Sequence, residues 1–166
     1  FSLPVITFVD TAGAYPGIEG EERCQSEAIA RNLATMSELK TPIVVVVSGE
    51  GGSGGALAIS VGDHLCMLEY AIYSVASPEA CASIIWREAA KAPDAARAMK
   101  LSSQELKKIN IVDEVIQEPL GGAHRDYDLI AQNVKSSLIK NLSILNKISI
   151  EDLLERRYKR ILSVGA

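Results

Sequence analysis

The sequence predicts an α/β fold in which apolar strands alternate with glycine-bearing loops and helices. Residues 5–9 and 43–47 form two apolar runs rich in β-branched side chains, as is typical of strands buried in a parallel sheet. Each run leads into a loop that contains glycine, and apolar residues at helical spacing follow each loop. Loops at the carboxyl ends of parallel strands gather at one edge of a sheet, so we expect the functional site there.

The composition limits the classes of function. The chain has 166 residues, of which 48% are hydrophobic, enough for one folded domain with a core. A formal net charge of −4, without a dense stripe of lysine and arginine, argues against a nucleic-acid partner. No apolar run reaches the roughly 18 residues of a membrane span, so we expect no membrane contact. Cys24, Cys66 and Cys81 lack the spacing of a disulfide framework or zinc knuckle. We therefore expect free thiols in a reducing compartment and no bound metal.

The remaining elements are predicted from periodicity and from helix-capping residues. A helix is expected from residue 19, with Ile29, Leu33, Met36 and Leu39 on one stripe, and a short alanine-rich helix follows the glycine run as far as residues 62–63. Further strands are expected at residues 65–68, 71–75 and 111–116, and further helices from 77, at 93–99, at 103–109 and from 128 onward.

Three local features add to this layout. Ser77 and Ser149 are predicted N-caps of helices. The basic run at residues 156–160 is interpreted as a solvated helix face. The chain starts with Phe1 and enters a strand almost at once, so we expect it to be the C-terminal part of a longer protein.

The run at residues 49–58 is the most informative motif, because it places five glycines in its first seven positions between a strand and a helix. Glycine lets backbone N–H groups approach a ligand closely. Gly54 and Gly55 lie on the helix side of the predicted turn, which is where two adjacent N–H groups can form an oxyanion hole. The alternative interpretation is that the glycines only permit close packing of the strand on the helix.

Other interpretations of the glycine run require further residues at a spacing that the sequence does not show. Ser53 fits the G-x-S-x-G pattern of a nucleophile elbow, which needs a histidine base. His64 is predicted at a strand start, which favours a structural role, and His124 has no supporting spacing. No lysine follows the glycines as in a P-loop, and a dinucleotide fingerprint does not fit the spacing.

Two further loops, at residues 10–17 and 118–124, are also predicted to follow strands. They are rich in glycine and polar residues, and we expect them to meet the glycine run at one edge of the sheet. Three converging loops favour a pocket over simple packing.

The order of motifs along the chain resembles the α subunit of the carboxyltransferase component of bacterial-type and plastid acetyl-coenzyme A carboxylase. The resemblance covers nearly the whole chain, so it is more specific than any single motif. The matching stretches are residues 8–11, 13–17, 25–33, 49–59, 73–75, 77–79, 81–84, 118–125 and 156–158.

The resemblance implies a crotonase-like fold of the ClpP/crotonase superfamily, with stacked ββα units and C-terminal helices. Residues 1–166 would form one carboxyltransferase domain, shortened at the N-terminus. The implied reaction moves a carboxyl group from carboxybiotin, held on a biotin carboxyl carrier protein, to acetyl-coenzyme A. The product, malonyl-coenzyme A, feeds fatty acid biosynthesis. A crotonase-superfamily serine hydrolase or peptidase that uses Ser53 is the alternative.

The resemblance also implies how the site is divided between subunits. Two enolate-like anions each need an oxyanion hole, and Gly54 and Gly55 would serve the biotin side. The β subunit would supply the other hole, in an α2β2 heterotetramer that works with biotin carboxylase and the carrier protein. No side-chain base is required, and the expected location is the cytoplasm, or the plastid in a plant. The implied substrate- or biotin-binding residues are Tyr15, Gly17, Gly51, Gly52, Ser53, Gly121 and Gly122.

Overall fold

The computed structural model describes residues 1–164 and consists of one parallel sheet with helices packed around it. The strands are β1 (Val5–Thr11), β2 (Ile43–Gly52), β3 (His64–Leu68), β4 (Ile72–Ser74) and β5 (Glu114–Ile116). The helices are α1 (Ile18–Glu22), α2 (Gln25–Glu38), α3 (Ser53–Leu57), α4 (Pro78–Trp86), α5 (Ala92–Met99), α6 (Ser103–Lys108), α7 (Tyr127–Leu145) and α8 (Ile150–Leu162). Short 3-10 turns lie at Ala89–Lys91 and Ala123–Arg125. The α/β class predicted from the sequence is confirmed.

Strand β2 is the centre of the sheet. Its neighbours are β1 on one side and β3 on the other, and β5 follows β3, with every pairing parallel. The first five residues of β2, Ile43 to Val47, are completely buried because helices cover both faces of a parallel sheet. The continuous apolar run of this strand is therefore explained by its position.

The glycine run differs from its prediction, because its first half is strand and not turn. β2 continues through Gly49 to Gly52, and residues Glu50–Gly52 pair with β4. Gly51 lies opposite Tyr73, whose ring occupies the space that a side chain at Gly51 would need. The turn into α3 is thus confined to the Gly52–Ser53 step.

The helix predicted from residue 19 is divided into α1 and α2. Cys24 separates them with a left-handed backbone (φ 56°), which interrupts the helical hydrogen bonding. Only the end of the predicted apolar stripe reaches the core, where Met36 is buried and Leu39, which follows α2, packs against it. The strands predicted at residues 71–75 and 111–116 are shorter in the structure, as β4 and β5.

The C-terminal helices begin at the predicted caps. Ser77 Oγ accepts a hydrogen bond from Ala80 N (3.1 Å), and Ser149 Oγ accepts one from Asp152 N (3.1 Å). Leu145 of α7 and Leu153 of α8 complete the core beneath the sheet. None of the helices described within residues 1–164 is long and apolar enough to span a membrane.

The interpretation of residues 156–160 as a solvated face is wrong for Arg157. This side chain is completely buried and forms an ion pair with Asp63, which is also buried. Arg160 is largely buried as well and donates to Asp113 Oδ1 (2.8 Å). Sequence patterning missed this because the acidic partners lie at least 47 residues away along the chain.

Candidate active site

The junction of β2 and α3 has the backbone of a tight strand-to-helix turn. Ser53 takes a left-handed conformation (φ 54°), which is uncommon for a residue with a side chain. Gly52 precedes the helix, and no side chain caps its first turn. The first N–H groups of a helix have no partner within the helix, so those of Ser53, Gly54 and Gly55 lack both an intrahelical acceptor and a capping side chain.

Gly54 and Gly55 differ in their surroundings. A Cβ at Gly54 would meet no atom within 4 Å, so the backbone there borders open space. A Cβ at Gly55 would lie 2.7 Å from Ala14 N and from Gly13 C, and one at Gly52 would collide with the carbonyl of Ala12. Close packing therefore explains why residues 52 and 55 are glycines. Packing within the described residues does not explain why residue 54 is a glycine.

The loop at residues 10–17 packs directly on this junction, as predicted. Asp10 Oδ1 accepts a hydrogen bond from Glu50 N (3.0 Å), and the same carboxylate fills the space beside Gly49. Gly13 has φ 133° and lies against Gly52, so only glycine fits this position without strain. The first loop thus holds the end of β2 in place.

A cavity of about 370 Å³ opens beside Gly54. Its wall is mainly apolar, and it is lined by Ser53, Gly54, Leu57, Tyr73, Ser74, Val75, Met99, Leu101, Leu106 and Ile111. Burial raises the pKa of the Tyr73 phenol, so this group stays neutral at physiological pH. Such a cavity accommodates a compact apolar group with one polar atom at the Gly54 backbone.

Tyr15 and Gly17 lie on the first loop, and neither lines the cavity beside Gly54. The Tyr15 side chain is mostly exposed, and its ring covers Gly17. With its amide oriented to satisfy both backbone groups, Gln25 donates to Tyr15 O (2.7 Å) and accepts from Tyr15 N (3.1 Å). This segment is a turn that Gln25 holds by its backbone and that presents an exposed aromatic ring.

Gly121 and Gly122 lie on the loop after β5 and border a different cavity. That cavity has a volume of about 680 Å³ and also includes Ser48, Gly49 and His124. Both glycines have positive φ angles, 90° and 107°, which side chains rarely adopt. The three loops therefore do not line one common cavity. The third loop meets β2 at Gly49 and lines a different cavity from the one beside Gly54.

The geometry does not support the hydrolase alternative. His64 packs where β3 and β5 begin, and His124 lines the cavity of Gly121, so neither lines the cavity that Ser53 borders. A nucleophilic serine needs its base within hydrogen-bond reach.

Sequence analysis did not predict that Tyr73 and Leu57 line the cavity. The glycine at position 51 was a signal for Tyr73, because a glycine within a strand can indicate a bulky residue opposite it.

A second polar cluster lies away from this junction. His64, Cys66 and Glu114 bring a nitrogen, a sulfur and a carboxylate oxygen within 4.8 Å of one another. Burial raises the pKa of the Cys66 thiol to about 11, while Ser137 Oγ lies 3.4 Å from its sulfur. These are the residues within the described part of the chain whose donor set could hold a metal ion.

The fold is that of solved carboxyltransferases and of an enoyl-CoA hydratase/isomerase. Superposition on Transcarboxylase 12S with methylmalonyl-coenzyme A and methylmalonic acid bound gives a TM-score of 0.74 at 22% identity, over 89% of this chain and 28% of that one. A Pseudomonas malonate decarboxylase hetero-tetramer in complex with coenzyme A gives 0.74 at 16% identity, over 95% and 63%. An enoyl-CoA hydratase/isomerase from Marinobacter aquaeolei gives 0.52 at 14% identity, over 87% and 53%. The crotonase-like fold implied by the resemblance is confirmed.

The chain belongs to the acetyl co-enzyme A carboxylase carboxyltransferase-like family, whose model matches residues 1–165. It is 61% identical to the acetyl-coenzyme A carboxylase carboxyl transferase subunit alpha of Pseudomonas entomophila and 59% identical to that of Vibrio cholerae. Each match covers 99% of this chain and 52% of the relative. The chain therefore spans about half the length of the curated relatives that it matches.

Proposed function

We propose that this chain forms part of a carboxyltransferase α subunit that moves a carboxyl group from carboxybiotin to acetyl-coenzyme A, which yields malonyl-coenzyme A. The observation that carries the proposal is the family match over residues 1–165, with 59% and 61% identity to two relatives named as that subunit. We place the reaction in the cytoplasm, or in the plastid of a plant, as part of fatty acid biosynthesis.

Gly54 and Gly55 are proposed to donate their backbone N–H groups to the oxygen that gains negative charge on the biotin side. Three features support this: the first turn of α3 has no capping side chain, Gly54 borders open space, and an apolar cavity adjoins it. Preorganised N–H donors in an apolar site stabilise a developing anion, and the loss of one donor typically costs about 10²–10³ in rate. Carboxybiotin, bound as a substrate on its carrier, supplies the activated carboxyl group.

The other predicted residues are assigned to shaping and binding. Gly51 lets the end of β2 lie close to Tyr73, and Gly52 lets it lie close to Ala12. The left-handed backbone of Ser53 is proposed to orient the N–H groups that follow it. The loops of Tyr15 with Gly17 and of Gly121 with Gly122 are proposed contacts for the substrates or the carrier protein.

A partner is part of the proposal, because one oxyanion hole serves only one of the two anions. We propose that a β subunit supplies the second hole in an α2β2 assembly. In this scheme biotin carboxylase recharges the biotin on its carrier. The relatives are named as α subunits, and the malonate decarboxylase of like fold was solved as a hetero-tetramer, which supports a multi-subunit arrangement.

The test is malonyl-coenzyme A-dependent carboxylation of a biotin derivative by the full-length α subunit co-purified with a β subunit. Gly54→Val should reduce kcat/KM by at least 100-fold while the complex still assembles, because the new side chain fills the space above the N–H groups. Ser143→Val, at an exposed position of α7, is the matched control and should leave the rate unchanged. Normal activity in Gly54→Val would exclude the proposed role of this junction.

A fluorophosphonate probe separates the transferase from the hydrolase interpretation. Because no described histidine lines the cavity of Ser53, we expect no labelling of this hydroxyl. Labelling at Ser53, identified by mass spectrometry of the modified peptide, would support an activated serine instead.

A further inference from the structure

The cluster of His64, Cys66 and Glu114 arises from strand geometry. His64 and Cys66 are two residues apart on β3, so their side chains lie on the same face of the sheet. Glu114, the first residue of β5, lies opposite Cys66 in the parallel register and so joins the same face. The fold thus brings an imidazole, a thiol and a carboxylate together at the edge where both strands begin.

The imidazole of His64 has an unsatisfied atom directed into this cluster. Its Nε2 is buried without a hydrogen-bond partner and lies 3.6 Å from Glu114 Oε2. A buried polar atom without a partner destabilises a fold, so such atoms call for an explanation. A third group that binds both His64 Nε2 and Glu114 Oε2 would explain the unpartnered atom.

We propose that His64, Cys66 and Glu114 bind a single zinc ion through Nε2, Sγ and a carboxylate oxygen. The three ligand atoms lie within 4.8 Å of one another, so one ion between them could contact all three, as in a tetrahedral site with a fourth ligand. Mixed sulfur, nitrogen and oxygen donors favour zinc over magnesium or calcium, which prefer oxygen alone. This assignment departs from the sequence-based expectation of no metal.

The charges and protons balance in this arrangement. Zinc binds the Cys66 thiolate, so the thiol proton passes to solvent as the zinc–sulfur bond forms. The thiolate and the Glu114 carboxylate together neutralise the divalent ion. A water molecule completes the fourth position, and His64, which is partly exposed, marks the side from which the ion enters.

Neighbouring side chains hold the ligands in place. Asn141 Nδ2 donates to Glu114 Oε2 (2.9 Å), and Ser137 Oγ lies 3.4 Å from Cys66 Sγ. Asp113 Oδ2 lies 4.0 Å from His64 Nδ1 and favours an imidazole whose Nδ1 carries the proton. Lys140 also contacts Glu114 Oε2 (3.2 Å), but this side chain is mostly exposed and is free to turn toward solvent when the ion binds.

The site is separate from the junction at Gly54 and does not depend on the proposed function. None of its three ligands lines the cavity beside Gly54. A zinc ion there would link the start of β3 to the start of β5, so its role is to hold two strands of the sheet together.

The experiment uses the purified full-length α polypeptide, stripped of metal by a chelator and kept apart from any partner subunit. Titration with Co²⁺ should produce the absorption band of a cobalt–thiolate bond, which Zn²⁺ then abolishes at one equivalent. Cys66→Ser and His64→Gln should each weaken Zn²⁺ affinity at least tenfold. Cys81→Ser and His124→Gln, which change a cysteine and a histidine outside the cluster, are matched controls that should bind normally.

X-ray absorption at the zinc edge provides a readout that does not depend on the variants folding. We expect one sulfur ligand near 2.3 Å with nitrogen and oxygen ligands near 2.0–2.1 Å, about the usual distances for zinc. A spectrum without sulfur, the absence of a thiolate band, or unchanged affinity in both folded ligand variants would overturn the proposal.

Discussion

Arg157 and Asp63 form a two-pronged ion pair with both side chains completely buried. Arg157 Nε donates to Asp63 Oδ1 (2.9 Å), and Nη2 donates to Oδ2 (2.7 Å). The remaining guanidinium donors bind backbone carbonyls where α2 ends and the chain turns toward β2, namely those of Met36, Leu39 and Thr41. A single side chain of α8 therefore fixes the entry to the central strand.

Replacement of Arg157 by methionine should lower the free energy of unfolding by about 3–5 kcal/mol, because Asp63 would be left as a buried charge without a partner. Urea unfolding followed by circular dichroism measures the change. Arg156→Met, at the exposed neighbouring position, is the control and should change stability by less than about 0.5 kcal/mol. Equal effects of the two substitutions would contradict the assigned role of the ion pair.

Alanine at Gly54 and at Gly55 should have opposite effects on stability. At Gly54 the added methyl group enters open space, and alanine favours the helix by up to about 1 kcal/mol. At Gly55 the same group lies 2.7 Å from the backbone of the neighbouring loop, so α3 must move away and the protein is destabilised. Thermal unfolding of both variants tests this, and a lower Tm for Gly54→Ala than for Gly55→Ala would refute it.

The buried phenol of Tyr73 should limit stability at high pH. Burial raises its pKa above the ordinary value of 10.0, so the folded state holds the proton more tightly than the unfolded state. Its contribution is complete below about pH 10 and is lost as the pH rises through the folded-state pKa. Above this pH, the free energy of unfolding should therefore fall less with rising pH in Tyr73→Phe than in the parent protein. Tyr70→Phe, at an exposed position, should follow the parent curve in denaturant titrations.

The N-cap of α8 should contribute about 1 kcal/mol. Ser149 Oγ accepts from Asp152 N (3.1 Å) and donates to Asp152 Oδ2 (2.8 Å), so Ser149→Ala removes both bonds. Chemical denaturation gives the difference. Ser143→Ala, within α7, removes an exposed hydroxyl that bonds only its own helix, and should be neutral or slightly stabilising. Similar losses in both variants would show that the cap has no special effect.

Local patterns predicted those parts of the fold that depend on neighbouring residues. The apolar run of β2 and the caps at Ser77 and Ser149 were predictable because strand burial and helix capping involve residues close in sequence. The extent of β2 was not, because its last residues are ordered by pairing with β4, about 20 residues further along. Arg157 was misinterpreted for the same reason, since its partner Asp63 is 94 residues away.

The candidate site was predictable in part. Its glycines were evident, and the contact between the first loop and the glycine run was correctly expected. The separate functions of neighbouring glycines were not evident, because only the three-dimensional packing distinguishes Gly55, which needs its small size, from Gly54, which does not. The division of the three loops between two cavities depends likewise on where β5 lies in the sheet.

The close packing of Gly52 and Gly55 on the loop above them has a consequence for inhibitor design. A compound that takes its polar contacts from backbone N–H groups at this junction meets atoms that only a substitution by proline can remove. Evasion would then require a new side chain, yet at Gly52 and Gly55 any side chain collides with the adjoining loop. Resistance would therefore concentrate at Gly54, where a larger residue also obstructs the proposed substrate.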